Sequence, residues 1–142
     1  MPVRKANAEW EGNLKDGNGR LRTETGAVDG RYSFSSRFED GIGTNPEELI
    51  GAAHAGCFSM AFSGALAKSG FTPRSISTED KVYVEKIGDG FTITKIEMNT
   101  EADVPNIDEE TFQRIADDAK NNCPVSRALK GVDIVLNARL RG

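Results

Sequence analysis

From Leu49 to Ala67 the chain carries no Asp, Glu, Lys or Arg, and Gly51, Ala52, Ala53, Ala55, Gly56, Ala61, Gly64, Ala65 and Ala67 leave it few bulky side chains. The signals around this stretch predict one long helix over residues 46–69. Asn45 can cap it, Pro46 suits the first helical position, and Glu47 and Glu48 suit the positive end of the helix dipole. Glu48 stands where a capping-box partner would sit, and Gly70 is the expected stop. A helix without a solvated face is expected to be buried all round, and small side chains let another backbone come close. In a chain of 142 residues, that much cover points to a partner subunit.

The rest of the composition narrows the class. Hydrophobic residues are 37% and charged residues 28%, values of a globular chain with a core, read as a single domain over residues 1–142. The net charge of −4 and the absence of any basic run argue against a nucleic-acid surface. Met1–Asn7 has no apolar segment after its positive charges, so no secretory signal is expected. No apolar run is read as long enough to span a bilayer. The expectation is a cytoplasmic protein, not a membrane protein, whose thiols rest reduced.

Around the long helix the pattern is β, then β and α again. Three short strands in a meander are expected over residues 5–36, with turns at Lys15–Gly19 and Gly26–Gly30, and with Tyr32 and Phe34 in the third strand. Few of their side chains are large and apolar, so this sheet needs cover from elsewhere. Ser36 to Asn45 reads as a loop that carries Arg37. A β-hairpin is expected over 75–102. Phe91 and Ile93 share one parity there and Ile96 and Met98 the other, which predicts a bulge near Thr94 and Lys95. A helix follows over 109–121, with Asp108 as cap and Phe112, Ile115, Ala116 and Ala119 at helical spacing. Pro124 opens a short helix over 124–130, and strict alternation makes 132–140 a terminal strand.

Two cysteines carry the chemistry. Cys57 lies in the middle of the long helix, and Cys123 directly precedes Pro124. Each is either a small packed hydrophobe or a reactive thiol. Apolar burial raises a thiol's pKa, so a reactive Cys57 needs a nearby cation, either His54 one turn earlier or Arg37 from the preceding loop. Cys123 sits at a helix N-terminus, where the dipole favours thiolate. Their separation excludes a Cys-x-x-Cys dithiol. His54 is the only histidine. No carboxylate lies within its helical turn, so no triad is expected, and the spacings are wrong for a structural zinc site. His54 is read as buried and hydrogen-bonded.

The run Arg37-Phe38-Glu39, then Gly43-Thr44-Asn45-Pro46-Glu47-Glu48-Leu49-Ile50-Gly51-Ala52-Ala53-His54-Ala55-Gly56-Cys57-Phe58-Ser59-Met60-Ala61, resembles the OsmC branch of the OsmC/Ohr peroxidases. Cys123-Pro124-Val125-Ser126 resembles that family's second cysteine motif. Ala8–Gly12 and Gly70–Pro73 extend the likeness over essentially the whole chain. The resemblance implies an α+β fold of antiparallel sheets around a long buried central helix, in an intertwined homodimer with the site at the interface. It implies a peroxidase of organic hydroperoxides that needs no cofactor or metal. Cys57 resembles the peroxidatic cysteine, Cys123 the resolving one, Arg37 the arginine that activates the thiolate, and Glu47 the glutamate that holds the arginine.

On that resemblance a Cys57 thiolate attacks the peroxide, and the resulting sulfenic acid condenses with Cys123 to a disulfide. An external dithiol, by resemblance a dihydrolipoyl protein, restores both thiols. Glu47 and Cys57 are 57 − 47 = 10 residues apart on one helix, roughly 15 Å along its axis. If Arg37 and Glu47 both serve Cys57, they are expected to come from the other subunit. Phe38, Phe58, Met60 and Phe62 are candidates for favouring bulky peroxides, with core packing as their competing role. Two other readings stand beside the peroxidase. One is a non-catalytic dimeric stress protein that binds an apolar ligand. The other, ranked last, is a cysteine hydrolase using His54 and Cys57.

Overall fold

The structure, a computed structural model, describes residues 1–141. It has the α+β architecture expected, in two compact units, Met1–Leu49 and the residues from Ile50 onward. In the first unit, strands β1 (Ala6–Glu11), β2 (Asn18–Thr23) and β3 (Asp29–Tyr32) form an antiparallel meander in that order. Gly19 pairs with Trp10 on one side and Tyr32 on the other. The two rings meet across it with centroids 5.3 Å apart. A Cβ at Gly19 would come within 2.5 Å of the Tyr32 ring and 2.8 Å of the Trp10 ring, so only glycine leaves room for this pair. Among residues 1–49 only Gly19, Ser36 and Glu47 are buried. The meander therefore has no core of its own, as the scarcity of apolar side chains implied.

One element departs from the sequence expectation. Tyr32 ends the third strand, and Phe34–Phe38 forms a short helix, α1, where a strand end and a loop were expected. Its origin is a reciprocal cap. The Ser33 hydroxyl accepts the Ser36 N–H at 3.1 Å, and the Ser36 hydroxyl accepts the Ser33 N–H at 2.8 Å. Glutamate or glutamine normally fills that second place, so the serine version leaves a faint signature. The Ser36 hydroxyl also lies 2.8 Å from the Thr44 carbonyl, and the Asn45 amide donates to the Ser36 carbonyl at 3.1 Å.

The long helix, α2, spans Pro46–Lys68. The Asn45 side-chain carbonyl accepts the Glu48 N–H at 2.7 Å, the cap read from the sequence. At the other end Gly70 adopts φ +89°. The Phe71 N–H returns to the Leu66 carbonyl and the Gly70 N–H to that of Ala67, a Schellman closure.

In the second unit, β4 (Ser75–Ile87) pairs antiparallel with β5 (Gly90–Asp103). The register slips where Tyr83 faces Lys95 and Val84 faces Ile93, so Thr94 is the extra residue of the bulge expected near that point. Beyond it Ile96, Met98 and Ala102 are buried in alternation. Strand β6 (Asp133–Arg141) runs parallel to β5, whereas antiparallel sheets were expected. The connection explains the difference. Helices α3 (Glu109–Asn122) and α4 (Pro124–Ala128) bridge β5 and β6, and such a helical crossover is what parallel pairing needs.

The core of this unit is built from one stripe of α2, one face of β5 and one face of α3. Phe58, Phe62, Leu66, Ile96, Met98 and Phe112 are fully buried. The Phe62 ring lies 5.5 Å from Phe58 and 5.4 Å, edge-on, from Phe112. Phe58 and Phe62 are thus core packing. The opposite face of α2 is open in the single chain, the face for which the sequence reading expects cover from a partner subunit. Ala52, Ala53, Gly56, Met60, Gly64 and Ala67 are exposed, Met60 at 80% of its surface. At 23 residues α2 is also long and apolar enough to cross a membrane by length and composition, contrary to the expectation that no apolar run is. Core helices of soluble proteins pass the same test, and the stripe with Phe58, Phe62 and Leu66 belongs to a core.

Candidate active site

Cys57 sits midway along α2, beside the buried stripe through His54 and Phe58. Cys123 is the hinge residue that ends α3 and begins α4, with φ −58° and ψ 126°. Its N–H returns to the Ala119 carbonyl at 2.9 Å, and its carbonyl accepts the Arg127 N–H at 3.0 Å. These elements bring the two sulfurs to 2.9 Å, both as free thiols. Cys123 is fully buried and Cys57 half-buried. Little movement separates them from the sulfur–sulfur bond length of about 2.05 Å. Burial foremost, and then the second sulfur, push the Cys57 thiol above its ordinary pKa, while the Val125 N–H at the start of α4 opposes them. Within its own unit Cys57 is therefore a poorly ionised thiol.

His54 has partners that sequence reading did not find. Its Nδ1 lies 2.6 Å from Asp80 Oδ2 on β4, and its Nε2 lies 2.7 Å from Ser126 Oγ on α4. It is buried and hydrogen-bonded as expected, but an acid-histidine-hydroxyl series exists where none was expected. The partners lie 26 and 72 positions away in the chain, beyond any helical spacing. The series is not laid out as a hydrolase site, because the histidine and carboxylate side chains are 0% and 1% exposed and Ser126 is 6% exposed. Both ring nitrogens are occupied, so His54 has none left for Cys57. That removes the base of a His54–Cys57 hydrolase and leaves His54 no hydrogen bond to give the Cys57 thiol.

The other candidate cation is in the first unit. Arg37, on α1, grips Glu47, in the first turn of α2. Nε donates to Oε1 at 2.9 Å, and Nη2 donates to Oε2 at 2.9 Å. This is the two-pronged geometry that fixes a guanidinium plane. Glu47 is buried and Arg37 is 37% exposed. Glu47 takes Nε and Nη2 and leaves Nη1 unclaimed by the carboxylate. The Phe38 ring lies 5.0 Å from the guanidinium carbon. Because α1 exists through its serine cap, Ser33→Ala is expected to cost about 1 kcal/mol. Chemical denaturation measures that loss.

The structure thus joins Cys57 with Cys123 and Arg37 with Glu47. Comparison with known proteins adds the following. A family described as OsmC-like protein matches residues 39–137. Peroxiredoxin OsmC of Escherichia coli strain K12 is 50% identical over 139 residues, covering 97% of this chain and 96% of that protein. The organic hydroperoxide resistance protein of Xanthomonas axonopodis pv. citri strain 306 is 32% identical over 129 residues, covering 80% of this chain and 89% of its own. The crystal structure of an OsmC like protein from Mycoplasma pneumoniae aligns with a TM-score of 0.77 over 99% of both chains. Its 16% identity makes that a likeness of fold alone.

Proposed function

The chain belongs to the OsmC-like protein family, and from that premise we propose that it is a cysteine-based peroxidase that reduces organic hydroperoxides to alcohols. The observation that carries this reading is the pair of free sulfurs 2.9 Å apart. The Cys57 thiolate attacks the distal oxygen of ROOH. The O–O bond breaks, RO⁻ takes a proton and leaves as the alcohol, and Cys57 becomes a sulfenic acid. Cys123 then attacks the oxidised sulfur. A Cys57–Cys123 disulfide forms, and the sulfenic hydroxyl leaves with the thiol proton as water. An external dithiol, as in a dihydrolipoyl protein, takes the disulfide back to two thiols and is itself oxidised.

A buried thiol with a raised pKa cannot start this cycle unaided. Arg37 is the cation we assign to it, with Glu47 as the carboxylate that orients the guanidinium. Because Glu47 and Cys57 stand roughly 15 Å apart along α2, we assign the pair to the Cys57 of a second copy. The open face of α2, with Ala53, Gly56, Met60 and Gly64 exposed, is the surface that such a copy would cover. The proposed assembly is a cytoplasmic homodimer in which each chain is one domain over residues 1–142.

Thiol counting tests the reading. One equivalent of cumene hydroperoxide should consume both thiols of the reduced protein and give one intramolecular disulfide, with cumyl alcohol as product. Two thiols that survive the oxidant at neutral pH would return the protein to the non-catalytic class.

A further inference from the structure

Helix α4 has only five residues and no side-chain cap at Cys123. A segment that short does not hold itself. The backbone at Cys123 is not helical, so α4 leaves α3 at an angle and carries the second sulfur on its pivot. Besides apolar packing of Val125 and Leu129 and the Val125 N–H directed at the Cys57 sulfur, α4 is tied to α2 by the Ser126–His54 hydrogen bond of 2.7 Å. Its position is informative. His54 lies three residues before Cys57, and Ser126 lies three residues after Cys123. One buried polar bond therefore runs beside the sulfur pair and links the same two elements.

Asp80 locks the bond from behind. Nδ1 and Asp80 Oδ2 share one proton across 2.6 Å, which ties the ring to β4. Nε2, on the far side of the same ring, holds the Ser126 hydroxyl, so the ring is fixed from β4 while it grips α4. Burying this series is costly, since Asp80 Oδ1 is out of solvent with no hydrogen-bond partner among the described residues. An apolar trio would fill the space without that cost.

We propose that Ser126, held by His54 and Asp80, is a positioning residue that keeps Cys123 over Cys57 and so sets how fast the sulfenic acid closes to the disulfide. The inference rests on the peroxidase reading above. A sulfenic acid at Cys57 has two fates. Cys123 can displace water and close the disulfide, or a second ROOH can transfer an oxygen to the sulfur, giving a sulfinic acid and a second ROH. Only the first fate needs α4 in place. Loosening α4 therefore diverts Cys57 toward the sulfinic acid.

The test is the partition between these products after reduced protein meets increasing equivalents of cumene hydroperoxide, read by intact mass, with both steps timed by rapid quench. In Ser126→Ala, disulfide closure should slow on the order of ten- to a hundred-fold, far more than the first oxidation, and sulfinic acid should accumulate at low peroxide excess. Ser126→Thr, which keeps the hydroxyl, should return toward the parent partition. Asp80→Asn, which weakens the lock without emptying the site, should shift the partition in the same direction and serves if Ser126→Ala does not fold. A parental partition in the folded variants overturns the proposal, and so does an equal slowing of both steps, the result of a merely structural role. A parent protein that forms no disulfide would remove the peroxidase reading itself, and this inference with it.

Discussion

Cys57→Ser should leave a folded protein whose hydroperoxide consumption falls on the order of 10³-fold or more, about 4 kcal/mol of barrier. The hydroxyl is close in size to the thiol, and Cys57 flanks the packed stripe, so the core of Phe58, Phe62 and Leu66 should stay intact. A serine hydroxyl is not ionised at neutral pH, so the nucleophile is lost and nothing else changes. Cys123→Ser makes the opposite split. Its first reaction with peroxide should survive, because the attacking sulfur remains. The sulfenic acid at Cys57 should then persist long enough to be trapped by dimedone, and turnover with an external dithiol should fall. Peroxide assays and mass spectrometry of the two variants separate the roles. A Cys57→Ser protein that turns over peroxide at the parental rate would end the assignment.

The sequence revealed most where local chemistry decides structure. Asn45, Pro46 and the two glutamates announce the start of α2, and the parity change between Ile93 and Ile96 announces the bulge at Thr94. It was less informative where a rare variant or a distant partner decides. The Ser33–Ser36 cap built a helix under Arg37 from residues that read as strand and loop. The parallel pairing of β6 depends on a crossover whose course no periodicity specifies. The partners of His54 come from β4 and α4, so a search within one helical turn could not reach them. The absence of charge along α2 does not say which face the chain itself covers, and the single chain buries the stripe through His54, Phe58, Phe62 and Leu66. The two sulfurs, 66 positions apart, could be read as a candidate pair but not placed until α4 was seen against α2.

Arg37→Met should move the ionisation of Cys57 upward and make the enzyme depend on alkaline pH. The sign follows from the forces on the thiol. Burial and the neighbouring sulfur raise its pKa in a single chain, and only the Val125 N–H opposes them. In the proposed dimer a guanidinium supplies the missing positive charge. Without it, the pH at half-maximal alkylation of Cys57 should lie above the ordinary thiol value of about 8.5. The parent midpoint should lie below that value. Each unit of upward shift removes about 90% of the thiolate available at neutral pH, so the peroxide rate at pH 7 should fall on the order of 10- to 100-fold. Part of it should return at high pH, which no misfolded variant would show. Glu47→Gln should produce the same shift to a lesser degree, since the cation remains but loses its two-pronged hold. Mixing then decides which chain supplies the arginine. Arg37→Met and Cys57→Ser chains, each strongly impaired alone at pH 7, form one complete site in a mixed dimer only if the arginine crosses the interface. Random reassortment in a two-fold dimer should restore about a quarter of parental activity. If Arg37 served its own chain, the mixture would not rise above the residual rate of Arg37→Met, because every chain with a Cys57 sulfur would lack its cation.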